Sequence, residues 1–82
     1  MAAKRLSRKN RLLTPGSETT TAINYSEESR TLEVEYKGGV YHYLNVEQEV
    51  WEEYKSIVEN GGSSGRFVNF RIKPVYEAVQ VR

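Results

Sequence analysis

Apolar and polar positions alternate strictly along Thr31-Leu32-Glu33-Val34-Glu35-Tyr36, which puts Leu32, Val34 and Tyr36 on the inner side of a strand and Glu33 and Glu35 on the other. A second strand follows, because Val40-Tyr41-His42-Tyr43-Leu44 is uninterrupted and rich in β-branched and aromatic residues. Lys37-Gly38-Gly39 between them supplies positive-φ residues for a tight hairpin, which sets Tyr36 near Val40 and makes the two strands antiparallel neighbours. Upstream, Thr21 to Tyr25 reads as a weaker strand, joined through the polar turn Ser26-Glu27-Glu28-Ser29. The three form a meander.

The period then changes from two to about 3.6. Val46, Val50, Tyr54, Ile57 and Val58 recur at helical spacing, Asn45 is placed to cap, and Gln48 can reach back to the Asn45 amide. This predicts a helix from Val46 or Glu47 to about Asn60, stopped by Gly61 in left-handed geometry. Trp51 lies at the edge of the stripe, where partial burial is expected. After the flexible link Gly61 to Gly65, Ser63 or Ser64 caps a shorter helix through about Ile72, in which Phe67, Phe70 and Arg71 fall at near-helical spacing alongside Val68 and Ile72. Pro74 ends it, and Tyr76 to Val81 is apolar enough to return as a strand, with helix-to-coil as the competing reading. The pattern predicts an α+β domain over residues 21–82: an antiparallel meander of three strands, a fourth C-terminal strand as a candidate, and two helices on one face.

Residues 1–20 lack any sustained apolar period. They are basic, then Ser/Thr-rich, with a Pro15-Gly16 break, and read as a flexible arm whose removal through residue 18 leaves the fold intact. Charge sharpens that boundary. The chain is net +1, yet Lys4, Arg5, Arg8, Lys9 and Arg11 precede any acid, so residues 18–82 are net −4. The first helix carries Glu47, Glu49, Glu52 and Glu53, an acidic face that would repel a phosphate backbone. The basic residues of the domain gather near its end, at Arg66, Arg71, Lys73 and Arg82.

The 82 residues contain one His, no Cys and no Asp, so disulfides and thiolate metal sites are excluded and the usual nucleophile triads lack partners. No catalysis, metal or cofactor is expected, and His42 reads as a structural or merely exposed strand residue. No apolar run reaches the roughly 18 residues that would suit a bilayer, and a cytoplasmic location without membrane attachment is the expectation. Two clusters remain as binding candidates. Ser63-Ser64-Gly65-Arg66, with Arg71 or Lys73, combines free amides, hydroxyls, a Gly that permits close approach and cations, a cradle for phosphate or carboxylate; its plain alternative is a helix cap. Tyr41 and Tyr43 share one face of their strand. If the core takes Val40 and Leu44, the two rings form an open platform for stacking single-stranded bases; if it takes the tyrosines, no platform exists.

In order and spacing the chain resembles the KTSC domain, a short module found at the C-terminus of some lysyl-tRNA synthetases and free-standing in bacteria and phages. The matching residues are Ile23-Asn24-Tyr25, Leu32 to Tyr36 with Gly39, and Tyr41-His42-Tyr43. They continue with Val46 and its helix, Ser63-Ser64-Gly65-Arg66-Phe67-Val68-Asn69, and Ile72-Lys73-Pro74-Val75-Tyr76. The resemblance covers residues 22–76. Glu47 stands where the family commonly has Pro, and Val68 replaces an aromatic residue, removing one stacking ring. The resemblance implies RNA binding and no established activity. The expectation is a small non-catalytic module that binds RNA or another polyanion through the basic arm and the Ser63–Arg66 turn. The alternative is a protein-interaction module that uses a strand edge or the acidic helix.

Overall fold

Residues 5–82 are described by the computed structural model, and their frame is an antiparallel sheet of five strands in the order β1-β2-β3-β4-β5. The strands are β1 (Leu12–Leu13), β2 (Thr20–Ser26), β3 (Thr31–Tyr36), β4 (Gly39–Tyr43) and β5 (Ala78–Gln80). Helix α1 (Gln48–Glu59) and helix α2 (Ser64–Phe67), which widens into a π-helical turn over Val68–Ile72, cover one face. The α+β class and the two helices are as expected. The strand count is not, since the C-terminal strand forms and a further strand, β1, adds to the free edge of β2.

Register decides the question of the tyrosines. Leu32 lies opposite Tyr43 and Val34 opposite Tyr41, so both tyrosines share the helix-covered face with the inward residues of β3. The core there is Ile23, Tyr25, Leu32, Val34 and Tyr43 against Val46, Trp51, Tyr54, Phe67, Val68 and Ile72. Trp51 is fully inside it, its indole stacked on the Tyr25 ring at 5.5 Å, while the Tyr25 hydroxyl donates to the Val46 carbonyl at 2.6 Å. Aromatic stacking with a satisfied polar tip explains why two large residues bury at no polar cost.

Three local expectations are corrected. The β3–β4 hairpin pairs Tyr36 with Gly39 rather than with Val40, and neither Gly38 nor Gly39 takes a positive φ. Gly39 is needed for another reason: a Cβ there would stand 2.8 Å from the Arg82 carbonyl, where the end of the chain crosses β4. Asn45 does not cap α1. It adopts φ 57°, a conformation its short polar side chain tolerates, and α1 starts later, at Gln48, with Glu47 as a cap residue that makes no side-chain bond. Gly61, at φ 81°, ends that helix as anticipated.

From Arg5 to Arg11 the segment read as a flexible arm lies along the outer face of the sheet, where Asn24 Nδ2 donates to the Ser7 carbonyl; β1 then adds to the sheet edge, with Leu12 packed on the core and Thr14 buried, its hydroxyl 2.8 Å from that of Thr20. The segment has too few apolar residues to announce itself by period, and it is held by polar bonds instead. Deleting residues 1–13 should therefore cost about 3 kcal/mol, the scale for leaving one partner of a buried ion pair behind, lowering the melting temperature by roughly 12–24 °C. A deletion that melts like the full chain would return the segment to the status of a mobile arm.

Candidate functional site

Ser63 starts the second helical segment, its Oγ accepting from the Arg66 amide at 3.2 Å. Ser64, Phe67, Val68 and Ile72 then face the core, which leaves Arg66, Asn69, Phe70 and Lys73 on the outward side. Phe70 is 74% exposed, an unusual position for a ring, and it stands between cations three and four residues away. Neither Arg66 nor Lys73 has a carboxylate partner among the described residues. Arg71 is engaged differently, paired to Glu53 of α1 and lying over the Phe67 ring at 5.6 Å.

The spacing in the sequence groups Phe70 with the apolar residues of this helix, and the structure puts it on the outward side. Counting from the buried Ser64 at helical spacing gives 67, 68 and 71 or 72 on the inner face and 66, 70 and 73 on the outer one, so the signal was present in the period.

The Ser63–Arg66 turn is occupied largely by the fold. Ser64 Oγ lies 2.9 Å from Thr20 Oγ1 and 2.6 Å from the Tyr54 hydroxyl, all buried. Gly65 has no room for a side chain, because a Cβ would come 2.7 Å from Thr19 Oγ1. The recess beside the turn, about 370 Å³, is lined by Ser17, Thr19, Ser63, Gly65, Arg66 and Asn69, and also by Glu18, a carboxylate that opposes an anion. Of the cradle read from the sequence, Ser64 is buried, Ser63 is exposed but caps the helix, Arg71 is paired to Glu53, and Arg66 is exposed at the turn without a carboxylate partner among the described residues.

Lys73 turns toward the sheet. Its Nζ stands 5.3 Å from the Tyr36 ring centroid, within cation–π range, at a recess of about 360 Å³ lined by Tyr36, Tyr41, Tyr43, Lys73 and Ala78. Tyr36 and Tyr41 meet edge to face at 81°, and the Tyr36 and Tyr43 hydroxyls are 2.8 Å apart. Burial pushes both of those phenols up from the usual tyrosine range, so they stay protonated. Tyr41 and Tyr43 thus line a corner rather than an open platform, and Lys73, read from the sequence as part of the turn, joins them.

The opposite face of the sheet carries Glu33, Glu35 and His42. Glu33 is fully buried and receives His42 Nε2 at 2.8 Å, Arg5 Nε at 3.0 Å and the Leu6 amide at 3.1 Å. Arg11 grips Glu35 in a two-pronged pair at 2.6 and 2.9 Å, and Arg5 reaches Glu35 as well, at 3.1 Å. Two of the five arm cations are therefore internal partners; Arg8 and Lys9 are exposed, and Lys4 lies outside the described residues. Among the described residues no group of three or more His, Cys, Asp or Glu is placed to hold a metal ion, and no helix is long and apolar enough to cross a membrane.

The model of the KTSC domain matches residues 16–76. The chain belongs to the KTSC domain family. A crystal structure of the KTSC domain protein YPO2434 from Yersinia pestis superposes with a TM-score of 0.77 at 27% identity, covering 89% of this chain and 97% of that one. No curated protein matches. The family match begins after β1, so the arginines that cover the outer face of this KTSC domain precede the matched segment, whereas the outward face of α2, the three tyrosines of the recess and Lys73 lie within it and Ala78 follows it.

Proposed function

We propose that this KTSC domain is a non-catalytic binding module for single-stranded RNA, with the outward face of α2 and its π-helical turn as the contact surface. One observation carries the reading: Phe70 is exposed, and Arg66, four residues before it on the outward side, is exposed and not spent on a carboxylate among the described residues. An exposed ring gives a base a stacking surface, and a cation one turn away suits the adjoining phosphate. The acidic α1 is unsuited to that role, and Arg5 and Arg11 are already neutralised by Glu33 and Glu35.

Phe70→Ala should weaken binding of a single-stranded oligouridylate by about 1–3 kcal/mol, and Arg66→Ala by about 1.5–3 kcal/mol. Both should leave the melting temperature nearly unchanged, because the side chains are exposed. The Arg66→Ala variant should also show a shallower dependence of log affinity on log salt. Wild-type protein that fails to bind oligonucleotides at low salt would refute the proposal. The exposure of Val75, 68%, and of Phe70 favours a second reading, an apolar protein contact at the end of α2. That contact would hold at high salt, where the RNA contact would not.

A further inference from the structure

The recess between β4, β5 and the end of α2 lies outside that contact face, and its chemistry is different. Its walls are the rings of Tyr36 and Tyr41, set at 81° to each other, and Ala78 on β5 presents only a methyl group where a larger residue would fill the space. At about 360 Å³ it falls within the range of small-molecule sites. Every polar group in it can donate. Tyr36 and Tyr43 share one hydrogen bond between two hydroxyls, so one O–H remains to donate elsewhere, and the Tyr41 hydroxyl has no side-chain or backbone partner among the described residues. Lys73 brings a positive charge, and the lining holds no acid.

We infer that this recess is a binding site for a small planar aromatic ring carrying an anionic group, the ring against Tyr36 and Tyr41 and the anion within reach of Lys73. The donors and the charge exclude a cationic ring as the preferred ligand, and the two aromatic walls favour a flat one. A nucleotide base with its phosphate and an aromatic carboxylate share this chemistry. The site does not require the strand-binding role of Phe70, so each stands or falls by itself.

The test titrates the full-length protein, observed through the aromatic NMR resonances of Tyr41 and Tyr43, with uridine 5′-monophosphate, uridine, 4-hydroxybenzoate and inorganic phosphate. The expected result is a saturable shift with the two ring-bearing anions, about tenfold weaker binding of uridine for want of the charge, and no saturable shift with phosphate alone. A stronger response to the nucleotide than to the benzoate, or the reverse, assigns the source. Lys73→Met, at an exposed position that does not threaten the fold, should erase the preference for the nucleotide over uridine. Phe70→Ala should leave all four titrations unchanged, which separates this site from the strand-binding face. Failure of both ring-bearing anions to saturate, an equal response to phosphate, or a nucleotide preference that survives Lys73→Met would each overturn the inference.

Discussion

Trp51→Ala is expected to leave the domain largely unfolded at room temperature. The indole is 3% exposed, stacks on Tyr25 at 5.5 Å and belongs to the single apolar cluster that joins α1 to the sheet. Replacing a buried Trp by Ala removes its transfer free energy and leaves a cavity, together about 3–5 kcal/mol. A domain of this size has total stability near the lower end of the usual range, about 5 kcal/mol, so the loss is comparable to the whole. Guanidinium unfolding read by circular dichroism measures it. The wild-type fluorescence should be that of a buried indole, shifting to the free-indole maximum on unfolding. A variant that keeps a cooperative transition within about 1 kcal/mol of wild type would mean that the Tyr25–Trp51 stack is not part of the core.

The legibility of this core in the sequence was uneven, for physical reasons. The alternation from Thr31 to Tyr36 and the 3.6-residue period of α1 are long enough for burial to leave a pattern; the strand stands where the pattern put it, and the helix does so but for its first one or two residues. Trp51 was expected only at the edge of the stripe. It is drawn fully inside because Tyr25, from a strand that looked weak, supplies a flat partner. The outer face is only half legible: alternation puts Glu33 and Glu35 on it, but nothing in the pattern says that they are buried, because charged residues rarely bury unless paired. Their partners, Arg5 and Arg11, lie more than twenty residues upstream in a segment with no period of its own. Pattern reading detects apolar faces, and it is blind to a sheet face closed by arginine–carboxylate pairs. The same limit applies to the candidate sites. The Ser63 cap was readable from residue type alone, but that Gly65 packs on Thr19, and that Lys73 swings away from the turn to Tyr36, depends on contacts across the fold.

Glu33→Ala should cost about 3 kcal/mol at pH 7, the scale for removing one partner of a buried ion pair. Burial by itself would push the Glu33 carboxyl up. The hydrogen bonds from Arg5, His42 and the Leu6 amide outweigh it, so the group sits below the usual carboxylate range. Glu35 is lowered too, chiefly by its bond to Arg11. A carboxyl whose pKa is depressed by folding binds fewer protons in the native state than in the unfolded one. Its contribution is therefore fully present above the unfolded value, about 4.3, and is lost as pH falls through the lower folded value. The wild-type protein should keep its stability from pH 7 to about pH 5 and lose it progressively below that. In Glu33→Ala one of the low-titrating carboxyls is gone, so its stability should start lower and fall less steeply with acid. Urea midpoints at a series of pH values measure both effects. Parallel acid limbs for the two proteins, or a loss under about 1 kcal/mol at pH 7, would show that the arginine-covered face contributes little to the fold. Arg5 would then be available to a polyanion after all.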